Sequence, residues 1–443
     1  MDLGYQVQIK RISVALKSAY FNELIINRGY PKAPYSEASF DDYYYTKRID
    51  NSISLNGKIS KNWNVQNVNA FNYYNRIKKT VYKDLTTLVE VPTSNSGDQD
   101  TTGFNLWMSR ASFSRNKDSA KVNYEVGYDV NYESAVGKRI ENQLQAMGDY
   151  AIFTTVEYKL ASKVLLKFGA RAAYNTVYKA PIVPSLNIKY SISNNHTVRA
   201  SYAMGFRAPS IKELYFYFVD VNHNIVGNQN LKAETSNNFM GSYNYLKRYE
   251  NSSIKLDVSG FYNEIRNLIT LAQISGVEYS YINIGKYKTH GLQITANYQY
   301  KQLSMQVGSS LIGRYNQLSD SYKVSQYNYS PEFVGNVSYN FKKLKTVASL
   351  FYKYNGKLPN LILVDNEVQQ NFIEDYQIAD ATIDKQLFKN KMRITIGCKN
   401  LFNVTNILAN VSGGAHNSAS GSIAMATGRN YFIKLSFNLE QLK

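Results

Sequence analysis

The sequence predicts an all-β fold, a transmembrane antiparallel β-barrel, and three observations predict it. Apolar or aromatic residues alternate with polar ones over many stretches, and these stretches are joined in turn by tight turns and long polar loops. The 443 residues include 39 Tyr and 20 Phe, yet the mean hydropathy is only −0.39. Strands that meet lipid on one face and water on the other need that mixture.

In chain order, the alternation first shows in Ile53, Leu55, Gly57 and Ile59 against Ser54, Asn56 and Lys58. It is clearest where Val122, Tyr124, Val126, Tyr128, Val130 and Tyr132 alternate with Lys121, Asn123, Glu125, Gly127, Asp129 and Asn131. Ile254, Leu256 and Val258 repeat it against Lys255, Asp257 and Ser259, and Leu292, Ile294, Ala296, Tyr298 and Tyr300 against Gln293, Thr295, Asn297 and Gln299. Ile433, Leu435, Phe437 and Leu439 close the series against Lys434, Ser436 and Asn438. Successive strand residues point to opposite faces, so each stretch has one apolar and one polar face.

Half-buried soluble sheets alternate too, so the connections decide. Tight turns fall near Lys61-Asn62, Arg115–Ser119, Ala161-Ser162, Ser193–His196, Arg248–Ser252, Tyr300–Leu303, Lys342–Lys345 and Phe388–Lys391. Longer connections fall near 28–45, 84–102, 134–148, 173–183, 207–235, 264–282, 314–331, 355–377 and 403–429. Short turns on one rim and long loops on the other is the asymmetry of outer-membrane barrels. The pattern gives about 18 strands, each able to supply the ~9–11 residues a tilted membrane strand needs. One domain over residues 1–443 is expected, with both ends on the short-turn rim.

Composition removes other classes. No run of 18 apolar residues provides a membrane helix. Met1 leads into Asp2, Leu3 and Gly4 with no signal peptide, which suggests a mature or truncated chain. The net charge of +18 is spread along the chain rather than gathered in a basic patch, so nucleic acid is not an expected partner. The single Cys398 suits an oxidising envelope compartment. No zinc-ligand spacing, phosphate-binding glycine loop or Ser/His/Asp constellation is present, so neither a cofactor nor catalysis is expected.

One segment is more specific. Val198, Ala200, Tyr202, Met204 and Phe206 continue a lipid-facing row, which points Arg207 into the lumen, and Pro209 ends the strand because it has no amide to donate. A loop with Tyr215, Phe216, Tyr217, Phe218, Asp220 and His223 follows and closes at Gly227–Ser236. Gly205-Phe206-Arg207-Ala208-Pro209-Ser210 with Glu213-Leu214-Tyr215, then Asn228-x-Asn230-Leu231-x-x-Glu234-x-Ser236, resembles the paired boxes around one extracellular loop of TonB-dependent outer-membrane receptors. Tyr281–Gly285 leading to Thr289-His290-Gly291-Leu292 looks like that family's strand entry. Ile394–Asn403, with Asn400-Leu401-Phe402, is similar to its penultimate-strand signature, and Gly428-Arg429-Asn430-Tyr431 opens a terminal strand. These matches keep the family's order from about Val198 onward; the upstream half matches by pattern alone.

The resemblance implies a barrel of ~22 strands preceded by a plug domain and a TonB-box peptide. Neither is found, so the chain is expected to be the C-terminal part of such a barrel, with the plug and first strands absent. It also implies an uptake receptor in the outer membrane of a Gram-negative bacterium. Its expected partners are membrane lipid, the TonB energising complex acting through a plug, and a small ligand such as a siderophore, haem or corrinoid. A diffusion porin or a barrel enzyme without TonB coupling is the alternative. Haem-uptake receptors pair a similar first box with Asn-Pro-x-Leu and hold a histidine between; here the second box reads Asn228-Gln229-Asn230-Leu231, without the proline. His223 is then the expected axial ligand if the ligand is haem, with Tyr215 and Tyr217 stacking beside it. An ordinary loop hydrogen bond is its other reading. Arg207 either binds an anionic ligand group or pairs with a carboxylate of the lumen.

Overall fold

A computed structural model of the chain describes residues 1–95, 97–219, 224–275, 278–315, 326–364, 367–388, 391–408, 422–424 and 427–437. It is all-β, 76% strand and 3% helix. Among the described residues no helix is long and apolar enough to cross a membrane. The strands are β1 (Asp2–Ile9), β2 (Ile12–Asn27), β3 (Ala38–Lys58), β4 (Trp63–Asp84), β5 (Glu90–Pro92), β6 (Gln99–Arg115), β7 (Val122–Gly137), β8 (Leu144–Ala161), β9 (Val164–Asn175), β10 (Val183–Ser191) and β11 (His196–Arg207). A single helical turn, α1 (Ile211–Tyr215), precedes β12 (Tyr217–Val219), β13 (Asn224–Val226), β14 (Glu234–Arg248), β15 (Ser252–Ser275), β16 (Glu278–Tyr300), β17 (Leu303–Tyr315), β18 (Tyr327–Phe341) and β19 (Thr346–Asn355). Then come β20 (Leu358–Val364), β21 (Glu367–Ile373), β22 (Tyr376–Leu387), β23 (Met392–Lys399), β24 (Asn406–Leu408), β25 (Ser422–Ala424) and β26 (Asn430–Phe437).

Contacts divide the chain into two compact units. The first comprises residues 1–186, 203–236 and 265–286, the second 187–202, 237–264 and 287–443. In the first, β1, β2, β3, β4, β6, β7, β8 and β9 pair antiparallel in succession. In the second, β16, β17, β18, β19, β22, β23 and β26 do the same, with β20–β21 and β24–β25 as separate hairpins. Consecutive antiparallel pairing is what tight turns permit, because a two-residue hairpin can only join neighbours running in opposite directions.

The two faces of these sheets are inverted relative to a soluble protein. In β7, Asn123 and Asp129 are buried, whereas Val126 and Tyr132 are 46% and 42% exposed. On β26, Ile433, Leu435 and Phe437 are all exposed, as are Ile53, Leu292, Ile294, Tyr298 and Tyr300. Thr46 and Asn175 are buried while Ile152 is 68% exposed. Leaving that much apolar surface open is unfavourable in water and favourable against hydrocarbon.

Several connections differ from expectation: β20 and β21 pair inside the expected loop 355–377, and β3 begins at Ala38 inside 28–45. Ile9 and Ile12 pair across a turn at Lys10-Arg11, a hairpin without Gly, Pro or Asn, made possible because Lys10 adopts φ 54°. The expected loop over 264–282 is mostly strand: β15 runs to Ser275 and β16 starts at Glu278. At 24 and 23 residues these two strands, like β3 and β4 at 21 and 22, are about twice the length needed to span a membrane. Their far ends are partly covered: Ser39, Asp41, Thr80, Val81 and Ile269 are buried there.

Candidate functional site

The segment between β11 and β14 folds onto the first unit. Pro209, fully buried, stops β11, and Ser210 then caps α1. The Ser210 hydroxyl accepts from the Glu213 amide at 3.3 Å, while Glu213 Oε2 accepts from the Ser210 amide at 2.7 Å and its hydroxyl at 2.9 Å. This reciprocal capping satisfies donors that a one-turn helix leaves open. One turn is too short to hold itself, so packing holds it. Ile211 and Leu214 are buried in a cluster with Ala135, Ile140, Met147, Leu231 and Ile269.

Arg207 ties the two ends of the segment together. Its Nε and Nη2 donate to both Glu234 oxygens at 2.9 and 2.7 Å, a bidentate pair, and its Nη1 donates to Glu213 Oε2 at 2.9 Å. Planar guanidinium against carboxylate is the strongest ordinary side-chain pairing. Glu234 Oε1 also accepts from the Ile269 amide at 2.7 Å. Burial pushes the Glu213 carboxyl up, but the Arg207 and Ser210 hydrogen bonds outweigh it and hold the group below the usual carboxylate range. The guanidinium is therefore engaged by two carboxylates.

The second box completes the clamp. The Asn228 amide nitrogen of the backbone donates to the Glu213 carbonyl at 2.9 Å, and its side chain donates to the Tyr281 carbonyl at 2.8 Å and accepts from the Asn230 amide at 2.9 Å. Leu231 is buried, and its carbonyl accepts from the Tyr178 hydroxyl at 2.9 Å. Asn283 accepts from the Lys232 amide at 2.7 Å and donates to the Lys232 and Asn267 carbonyls at 3.0 and 2.8 Å. Gly227 lies so close to the Leu214 carbonyl oxygen that a Cβ would stand 2.6 Å from it. Above the clamp, β12 pairs antiparallel with β13, and β13 pairs parallel with the start of β16.

The predicted residues thus separate into groups. Phe206 and Ala208 are half-buried beside Pro209; with Arg207, Asn228, Asn230 and Leu231 they form the clamp. Tyr215 packs against the apolar cluster. Tyr217 is 41% exposed, and its amide donates to the Arg139 carbonyl at 3.0 Å while its hydroxyl donates to the Lys138 carbonyl. His223 and Asp220 lie outside the described residues, as does His416. His196 contacts Tyr243 at 2.7 Å and His290 contacts Tyr329 at 3.0 Å, each a local pair. Among the described residues no group of three His, Cys, Asp or Glu could hold a metal ion.

Asn400, Leu401 and Phe402 form a turn in the second unit. Asn400 is buried at φ 52°, accepts from the Val404 amide at 3.0 Å, donates to the Val404 carbonyl at 2.8 Å, and its own amide donates to Asp380 at 2.8 Å. The Leu401 carbonyl accepts from Arg429, and exposed Phe402 meets Tyr352 edge-on at 6.4 Å. Sequence reasoning missed Tyr178 and Asn267 as members of the clamp. Tyr178 carries no pattern, and Asn267, at φ 55°, is signalled only by its residue type.

Exposed apolar rows beside buried polar rows on antiparallel strands are the pattern that outer-membrane β-barrel proteins share. Residues 4–401 match the family model described as TonB dependent receptor-like, beta-barrel. The chain belongs to that family, and its place is the outer membrane of a Gram-negative bacterium. It is 27% identical over 201 residues to the iron-regulated outer membrane virulence protein of Vibrio cholerae serotype O1, covering 42% of this chain and 28% of that protein. It is 34% identical over 90 residues to hemoglobin and hemoglobin-haptoglobin-binding protein C of Haemophilus influenzae, covering 20% of this chain and 8% of that protein. The chain therefore matches well under two thirds of the length of these relatives. The crystal structure of the siderophore receptor PirA from Pseudomonas aeruginosa resembles it in fold, with a TM-score of 0.59 at 14% identity over 98% of this chain and 79% of that one.

Proposed function

We propose that this chain is the barrel of a receptor for energised uptake of a scarce iron-bearing or comparable ligand: a siderophore, haem or a corrinoid. In this reading the strands of residues 1–443 close as one domain around a lumen, about 18 of the family's ~22 strands, with apolar rows against lipid and polar rows inside. A plug domain occupies the lumen and couples it to the TonB complex. The long connections bind the ligand, and the clamp sets the segment between the two boxes among them. That clamp is the observation that carries the reading: Arg207, Glu213 and Glu234 hold the two ends of the segment together, and Tyr217 between them is 41% exposed. If the ligand is haem, His223 supplies its axial nitrogen, with Tyr215 and Tyr217 alongside.

The test is iron-limited growth of a receptor-deletion strain carrying the intact receptor, supplied with one ferric siderophore or haemin, with and without TonB. Growth that needs TonB is expected. Growth that persists without TonB makes the protein a diffusion porin, and chemical turnover of the ligand makes it an enzyme. Haemin titration of the receptor against His223→Ala separates the ligands: an unchanged absorption band and affinity remove His223 from the account.

A further inference from the structure

The exposed face of the first unit is not uniformly apolar. By register, Ser18 pairs with Asn51, Ile53 with Asn69, Leu55 with Asn67, and Asn69 with Ser109, all on the face that carries Leu16, Ile53 and Phe71. The same face of β7, β8 and β9 carries no amide and no charge between Val122 and Tyr174. The polar cluster thus belongs to β2, β3, β4 and β6.

Its depth matters. Asn51 stands seven positions before the end of β3 at Lys58. At ~3.3 Å per residue and a tilt of about 40°, that is about 18 Å from the short-turn rim, inside an apolar band ~25 Å tall. Part of the cluster satisfies itself: Ser109 donates to Asn69 at 2.7 Å, Asn69 donates to Asn67 at 2.7 Å, and Asn67 donates to the Arg110 carbonyl at 3.3 Å. Asn51 and Ser18 are exposed and make no side-chain hydrogen bond among the described residues. They border a groove of about 600 Å³ walled by Leu3, Tyr5, Leu16, Ile53, Phe71 and Trp107, all 44% exposed or more. Hydrocarbon offers an amide neither donor nor acceptor, so an amide left facing lipid is costly.

We propose that this face seats a second copy of the chain about a two-fold axis, with the Asn51 amides of the two copies facing each other within the bilayer. A carboxamide is donor and acceptor at once, so it is its own complement, and a two-fold contact presents each patch to itself. The groove lies over Ser18 and Asn51, the small residues between Leu3 and Phe71, so the apolar walls of the two copies meet around the paired amides. Polar side chains pairing across an apolar contact are how membrane segments recognise one another. The inference rests on the proposed placement of the apolar rows against lipid.

The experiment uses the intact receptor in outer-membrane vesicles, in a Cys398→Ser background, with Asn51→Cys and, as control, Ile152→Cys on the same face of β8. Oxidation with copper phenanthroline is expected to join Asn51→Cys into a two-copy band and leave Ile152→Cys single. Asn51→Leu should lower the dimer association constant roughly tenfold in detergent, the worth of a hydrogen bond in such a contact. Heat-modifiable gel migration checks that each variant has folded, and Ser18→Cys replaces Asn51→Cys if the latter has not. No cross-link from the folded cysteine variant, or a cross-link to a different protein, overturns the proposal. Quenching of a fluorophore at Ile152→Cys by nitroxide-labelled lipid tests the lipid-facing rows separately, so a failure there is distinguishable from the absence of a dimer.

Discussion

Arg207→Ala should open the inserted segment while leaving the strands in place. The substitution removes the guanidinium from Glu213 and Glu234, whose side chains are 15% and 13% exposed. Breaking a fully buried pair from one side costs about 3–5 kcal/mol. Arg207 itself is 43% exposed, so water screens its side of the contact. Glu213 keeps its Ser210 donors and Glu234 keeps the Ile269 amide. The net cost is then about 2 kcal/mol, which raises the local opening constant roughly thirtyfold. Hydrogen–deuterium exchange read by mass spectrometry measures this directly. The Gly227, Asn228 and Ile269 amides, which donate to Phe216, Glu213 and Glu234, should exchange about thirtyfold faster, with peptides of β7 around Val126 unchanged. Unchanged protection at these three amides, or equal loss throughout β7, would refute the account of Arg207 as a local clamp.

Three further predictions follow from the same contacts. Glu213 has a depressed folded pKa, so its contribution is present above its unfolded value and is lost as pH falls through the folded value; exchange at Asn228, relative to β7, should therefore rise only as pH falls below the usual carboxylate range, and a selective rise already within or above that range contradicts this. Gly227→Val forces a Cβ against the Leu214 carbonyl and should destabilise the segment by about 1–3 kcal/mol, visible as faster proteolytic nicking near 218–226, whereas the strands keep their heat-modifiable migration. Asn400→Ala loses both the left-handed conformation and its buried hydrogen bonds, costing about 2–3 kcal/mol, and Asn400→Gly should recover part of it; lowered unfolding temperature of both by the same amount argues against the backbone contribution.

The strands were legible because their signal is local: each second residue reports its own face, and Val122 to Tyr132 need no distant partner to be read. The clamp was legible only as a pair of boxes. Nothing in residue type says that Arg207 will meet Glu234, 27 positions away, rather than a ligand. Of its two expected roles, the ion pair is the one that occupies the side chain. The extension of β15 and β16 through 264–282 was not legible, because Ile269 packs under the inserted segment and the start of β16 pairs with β13, neither of which an alternation reports. The Lys10 turn was hidden for the opposite reason, since a lysine in the left-handed region carries no compositional mark. In the first unit, Asn51, Asn67 and Asn69 interrupt apolar rows, yet only the register of β3 against β4, with Asn51 opposite Phe71 and Ile53 opposite Asn69, shows that they share one face.

Because one arginine grips both ends of the insertion, a single side chain fixes where the stretch leaves the strands and where it returns to them. Those two points are held by Arg207, Glu213, Asn228 and Glu234, four polar residues at the ends of the stretch rather than within it. The arrangement works like a socket, its mouth set by a few polar grips.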